Sequence, residues 1–241
     1  MTKLYLVWYP FKEIRQVLEE NSSHINVLAS YYFLRKEKQP LPYTVLLDSG
    51  AYSAFTSGAK IDIDEYCQYI KTNHKTIENY FSLDEIGSAE NSYHNLKKME
   101  RAGLKPIPAF HTNEGFDWLK RYISEGYKYI ALGGVAQLRN RTKILSWLKS
   151  CFSLIPSDVK VHGFAITSPF LVKKFPFYSI DSSSWAKGGR FGVFFYYDKG
   201  KFRTLDPKKF GKKFGVSFNK SGNYKMHKFN LMQWCKFAKQ I

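Results

Sequence analysis

A (β/α)8 barrel of TIM type, in a single domain, is the fold class this sequence predicts. Short apolar runs alternate with amphipathic segments along most of the chain, which is the pattern of parallel βα units. Seven such units can be counted, a number that suits a barrel better than an open doubly wound sheet. No G-x-G-x-x-G follows the first run, so the dinucleotide-binding alternative loses its phosphate loop. The 241 residues, 44% of them hydrophobic, are enough to enclose one large core.

The apolar runs are LYLVWYP (4–10), TVLL (44–47), YFSL (80–83), PIPAF (106–110), YIAL (129–132), VHGFAI (161–166) and FYSI (177–180). Each is short and rich in β-formers, as expected of buried strands. Between them lie helix-like stretches: IDEYCQYIKTNH, SYHNLKKMERAG, GFDWLKRYISEG and RTKILSWLKSCFSLI. In the third, Phe116, Leu119, Tyr122 and Ile123 fall on one face, and Gly126 marks a stop. RFGVFFYYDKGKFRTL reads as a hairpin turning at Asp198–Gly200, and GVSFN (215–219) is the candidate eighth strand. KMHKFNLMQWCKFAKQI reads as a terminal helix that buries Phe229, Met232 and Phe237. Residues 1–241 thus form one domain, with 198–241 as a basic C-terminal segment.

The formal charge is +17, which favours a polyanionic partner, nucleic acid above all. Cys67, Cys151 and Cys235 are widely separated and fit neither a disulfide framework nor a zinc pattern. No metal and no cofactor are expected. The first residues lack the apolar length of a signal peptide and no run is long enough to span a membrane. A soluble protein of the cytoplasm is expected, without membrane attachment.

In a barrel, chemistry sits where strands end. TVLL is followed by Asp48, YFSL by Asp84 and Glu85, PIPAF by His111, YIAL by Gly133 and Gly134, and FYSI by Asp181. A single aspartate after a strand is most often a turn or capping residue. Three at equivalent strand ends are another matter, because converging carboxylates repel and shift one another's pKa.

DSGAY (48–52), LDE (83–85), LGGVA (132–136), HGFA (162–165) and DSSSWAKGGRFG (181–192) resemble, in order and rough spacing, motifs of the tRNA-guanine transglycosylase superfamily. Those enzymes exchange a guanine in a polynucleotide for a 7-deazaguanine. The resemblance implies that Asp181 is the nucleophile at C1′ and Asp48 the general acid/base near the reacting nitrogens. It implies that Asp84 binds the Watson–Crick edge of guanine, that the Gly133–Gly134 backbone approaches the base and that Tyr52 stacks on one face. His162 falls where the family carries a methionine on the other face, and His111 is a further candidate base contact. The family's zinc-binding cysteine cluster is missing, since only Cys235 follows Asp181, with His227 nearby. Ser53 and the serine-rich DSSSW also depart from the tRNA enzymes. The reduced form looks like the phage and bacterial branch that modifies DNA, the DNA-guanine transglycosylases, whose setting would be the host cytoplasm if phage-encoded.

The chemistry of the residues agrees with these roles. Expelling guanine builds oxocarbenium character at C1′, which a carboxylate beneath it can stabilise or capture. A second acid handles the proton on the departing and incoming bases. A third accepts from N1–H and N2–H2, and an aromatic platform adds about 1–3 kcal/mol of stacking. The segment after Asp181 reads as a narrow flexible loop in which Lys187 and Arg190 hold flanking phosphates. Lys208, Lys209, Lys212 and Lys213, interleaved with Phe202, Phe210, Phe214 and Phe218, read as a phosphate-tracking surface with stacking platforms. DNA and a free 7-deazaguanine such as preQ0 are the expected partners, with tRNA as the alternative polynucleotide. A catalytically idle nucleic-acid-binding barrel is the alternative of another class. Dependence on a partner protein or on a second copy of the chain stays open.

Overall fold

The structure, a computed structural model, describes residues 1–241 apart from Pro40, Arg139 and residues 215–222, and apart from the side chains of residues 187, 189–191, 214 and 223. Eight parallel strands form one curled sheet: β1 (Lys3–Val7), β2 (Asn26–Ser30), β3 (Val45–Asp48), β4 (Ile77–Tyr80), β5 (Ala109–His111), β6 (Tyr129–Gly133), β7 (Lys160–Gly163) and β8 (Ser179–Ser182). Their spatial order is β4-β3-β2-β1-β8-β7-β6-β5. The curl brings the edges β4 and β5 together through one isolated parallel bridge, Phe81 with Ile107. There the Ile107 N–H donates to the Tyr80 carbonyl and the Ser82 N–H to the Ile107 carbonyl, each at 2.9 Å. This seam is a bridge, not a ladder, so the sheet is TIM-like without being sealed along the seam's length.

Helices alternate with the strands: α1 (Lys12–Glu19), α2 (Tyr31–Leu34), α3 (Ala51–Thr56), α4 (Ile63–Thr72), α5 (Ala89–Arg101), α6 (Phe116–Ser124), α7 (Arg141–Leu154), α8 (Pro169–Lys174) and α9 (Ser184–Phe191). Strand residues of one parity face these helices, among them Leu4, Leu6, Val27, Val45, Leu47, Ile130 and Ile180. They meet Ile14, Ile70, Leu96, Met99, Leu119 and Tyr122 from the helices. The other parity fills the inside with Tyr5, Leu28, Leu46, Phe81, Ile107, Ala109 and Ala131. Burial on both faces explains why these strands read as apolar runs and not as alternating ones.

Two expectations about secondary structure change. The eighth strand is β2, built from NVLAS. Its sequence hides it, because only Val27–Ala29 are apolar, between the polar Asn26 and Ser30. GVSFN lies outside the described residues. The second change concerns the segment after Asp181, which is the helix α9 and not a flexible loop. Its Trp185 is fully buried, with Nε1 donating to the Val7 carbonyl at 3.1 Å. Ser182 is buried too and accepts from Trp234 Nε1 at 2.8 Å.

The basic segment forms the expected hairpin, β9 (Phe194–Asp198) and β10 (Lys201–Leu205), then α10 (Pro207–Phe214) and the terminal α11 (Asn223–Ala238). α11 packs on α9, α1 and β9, burying Met226, His227, Leu231, Trp234 and Phe237. Met232, expected inside, is 45% exposed: the buried stripe runs through Leu231, Trp234 and Phe237 and leaves it on the flank. No described helix is long and apolar enough to cross a membrane.

Candidate functional site

The C-terminal ends of the strands gather most of the expected residues. Asp48 shares its inward parity with Leu46, His111 with Ala109, and Gly133 with Ala131. Asp181 pairs with the inward Tyr5 across β1 and β8. Asp84 enters from the loop after β4.

Asp48 feels the other two acids. Burial pushes the Asp48 carboxyl up to about 7, and the negative charges of Asp84 and Asp181 push the same way. The Gly50 N–H donates to Asp48 Oδ2 at 3.2 Å and pulls in the opposite direction. Asp48 is therefore also a turn residue, and Gly50, at φ +80°, leaves no room for a Cβ between Ser30 and Tyr32. Asp84 is pushed up to about 6 by burial, opposed by His111 and reinforced by Glu114. Its Oδ1 is buried without a hydrogen-bond partner, while Oδ2 lies 3.5 Å from His111 Nε2.

Asp181 is 6% exposed and caps no helix, the N-cap of α9 being Ser183. Its Oδ1 accepts from the Ala165 N–H at 2.8 Å. Ala165 holds a left-handed φ of 55°, a costly conformation for a residue with a Cβ, and it aims that N–H at the carboxylate. His162 Nε2 approaches the same oxygen at 3.4 Å. His162 is wholly buried, so its ring offers no face to a base and sits beneath Asp181. Behind it, Nδ1 meets Ser179 Oγ at 2.6 Å, and Ser179 Oγ meets the Tyr129 hydroxyl at 2.6 Å. This buried chain fixes the imidazole, and the imidazole and Ala165 together fix Asp181.

Tyr52 is 61% exposed and Phe55 62%, both on α3 directly after Asp48. Phe55 lines a groove of about 440 Å3 together with Ala54, Gly58, Ala59, Leu83 and Asp84 among others; Tyr52 is not part of its wall. The space in front of Gly133 belongs to His111, whose ring atoms lie 2.6 and 2.7 Å from where a Cβ would be. Gly134, at φ +78°, makes room for Thr112 in the same way.

The structure gathers Asp48, Asp84, His111, Gly133 and Asp181, with Tyr52 at the rim, and puts His162 one layer below. It leaves the lysines apart: Lys208, Lys209, Lys212 and Lys213 are exposed on α10, beside β10. Lys213 Nζ reaches the Tyr196 hydroxyl at 3.0 Å. The side chains of Lys187 and Arg190 lie outside the described residues. Of the aromatics expected as stacking platforms, Phe210 is buried and Phe202 packs against the core, while the Phe214 side chain and Phe218 lie outside the described residues. Phe210 stacks on Phe194 at 3.9 Å and Phe202 on Trp234 at 4.2 Å, because an amphipathic hairpin and helix need a core of their own. Sequence reasoning missed Ala165, Ser179, Tyr129 and Glu114. Glu114, three residues after His111, carried the one usable signal, a carboxylate and a histidine in a single turn. No protein-family model and no curated protein matches the chain.

Proposed function

We propose that the protein is a base-exchange glycosyltransferase that replaces guanine in DNA by a 7-deazaguanine of the preQ0 type, acting at the mouth of a (β/α)8 barrel. One observation carries the reading: a half-buried Asp48 within electrostatic reach of both Asp84 and Asp181, all at or just beyond the C-terminal ends of parallel strands. Asp181 attacks C1′. The C1′–N9 bond breaks, its electron pair leaves with guanine, and a glycosyl ester forms on Asp181. Asp48, whose carboxyl is poised near neutrality, gives the departing base a proton and takes one back from the incoming base. The exchange balances without a cofactor. Asp84 accepts from the N–H groups of the base edge, and Tyr52 offers an exposed ring for stacking.

The test incubates the protein with duplex or single-stranded DNA and preQ0, followed by nucleoside mass spectrometry and a denaturing gel. A 7-deazaguanine nucleoside in DNA and a gel-stable adduct are expected. Asp181→Asn should lose exchange by a factor on the order of 10^4 or more and form no adduct. Retained exchange in that variant removes the nucleophile. tRNA run in competition separates the two polynucleotides. Salt-sensitive binding without adduct or exchange would leave only the idle binding barrel.

A further inference from the structure

Glu114 has no part in the chemistry above, yet it grips His111 at two points. Its Oε2 accepts the His111 backbone N–H at 3.0 Å, and its Oε1 lies 3.2 Å from Nδ1. The other ring nitrogen, Nε2, faces Asp84 Oδ2 at 3.5 Å. The ring lies against the bare Cα of Gly133, which fixes its plane. A neutral imidazole has one donor nitrogen and one acceptor nitrogen. Here each nitrogen faces a carboxyl group. With both carboxyls ionised, an acceptor at either position is repelled, and the arrangement without repulsion is the imidazolium, in which both nitrogens are donors.

The surrounding charges agree. Burial pulls the His111 pKa down, but Asp84, Glu114 and the more distant Asp48 outweigh it and hold the ring up at about 9. Tyr122, on α6, lies close to Glu114 and Asp84, and Tyr66, on α4, close to Asp48 and Asp84; burial first and then these acids push both hydroxyls up, so both stay neutral.

The Nε2 to Asp84 distance is too long for a good hydrogen bond, and Asp84 Oδ1 has no partner at all. A cationic donor and an anionic acceptor therefore stand side by side with unused capacity. Their complement is a lactam edge, in which a C=O adjoins an N–H. We propose that Glu114 is a positioning residue that holds His111 as a cationic donor to the carbonyl of a lactam-type base, while Asp84 accepts the neighbouring N–H. The proposal rests on the base-exchange reading. It adds what that reading lacked: as the C1′–N9 electron pair moves onto the base, the charge spreads to the carbonyl, where a cationic donor holds it more strongly than a neutral one.

The test has two arms on the full-length protein. Histidine-labelled protein is titrated by NMR from about pH 5 to about pH 11, with His111→Gln assigning the signal. Wild-type His111 should stay cationic to about pH 9. In Glu114→Gln the midpoint should drop by at least about one unit, and Glu114→Asp should recover part of the drop. In the second arm, guanine and 2-aminopurine, which lacks the carbonyl and with it the N1–H, are titrated calorimetrically, so that the Glu114 variant is compared with wild type on each base separately. Glu114→Gln should weaken guanine about tenfold and leave 2-aminopurine unchanged. A wild-type His111 with an ordinary midpoint, or equal losses for both probes, overturns the proposal. An ordinary midpoint in a protein that does exchange guanine sinks this proposal alone. A cationic His111 in a protein that neither binds nor exchanges guanine sinks the lactam assignment and the base-exchange reading together.

Discussion

Asp48 combines two demands that conflict. It accepts the Gly50 N–H as a turn residue, which favours the carboxylate, and its carboxyl is largely withdrawn from solvent near two further acids, which favours the acid. Burial and repulsion prevail, so its folded pKa stands above the unfolded one. Stability from such a group is full below the unfolded pKa and is lost as the pH rises through about 7. Asp48→Asn should therefore melt like the wild type near pH 4 and about 5 °C higher near pH 8. The same difference at both pH values would show that Asp48 is not buried among charges. His111 gives the same sign at higher pH, since its raised pKa makes its contribution vanish as the pH rises through about 9. The three aspartates were legible in the sequence because each directly follows an apolar run. Ala165 was not, because nothing in HGFA announces a left-handed alanine. His162 was legible as important but not as buried, since its burial depends on Tyr5, Phe81 and Phe164 closing around it.

The helix α9 shows how an element can contradict its composition. SSSWAKGGRFG reads as a loop, because serines and paired glycines disfavour a helix. Two contacts override that preference. Trp185 anchors the first turn under β1, and α11 lies so close to Gly188 that a Cβ there would fall 2.0 Å from Asn230 Nδ2 and 2.2 Å from the Val193 carbonyl oxygen. Asn230 in turn donates to the Trp185 and Val193 carbonyls, closing the end of α9. In an exposed helix, Gly→Ala stabilises by about 1 kcal/mol. At this position the sign should reverse. Gly188→Ala should cost about 1–3 kcal/mol through overpacking and lower Tm by several degrees, while Gly115→Ala, at the open N-cap of α6 where a Cβ meets nothing, should change it little. A more stable Gly188→Ala protein would mean that α9 and α11 are not packed this way.

At the scale of the molecule, the +17 charge and the three acids divide the labour. The acids sit at the strand ends, and the exposed lysines of α10 stand on the hairpin-and-helix extension with its separate small core of Phe194, Phe210 and Met226. If those lysines track a phosphate backbone, replacing Lys208, Lys209 and Lys212 by Gln should weaken nucleic-acid binding evenly across sequences. The slope of log Kobs against log salt should become shallower by about one for every lysine–phosphate pair removed. An unchanged slope would place the phosphate-binding cations elsewhere.

The alternation of apolar and amphipathic segments determined the βα architecture, because burial on both faces of a strand is written directly in its composition. The strand-end positions determined which carboxylates were candidates. Only the tertiary structure decided that β2 completes the sheet, that α9 is a helix, that Phe202 and Phe210 are core, and that Glu114 and Asp84 hold His111 between them. Those outcomes depend on distances between residues far apart in the chain. Local composition records which groups are available to meet, while curling the sheet settles which of them do.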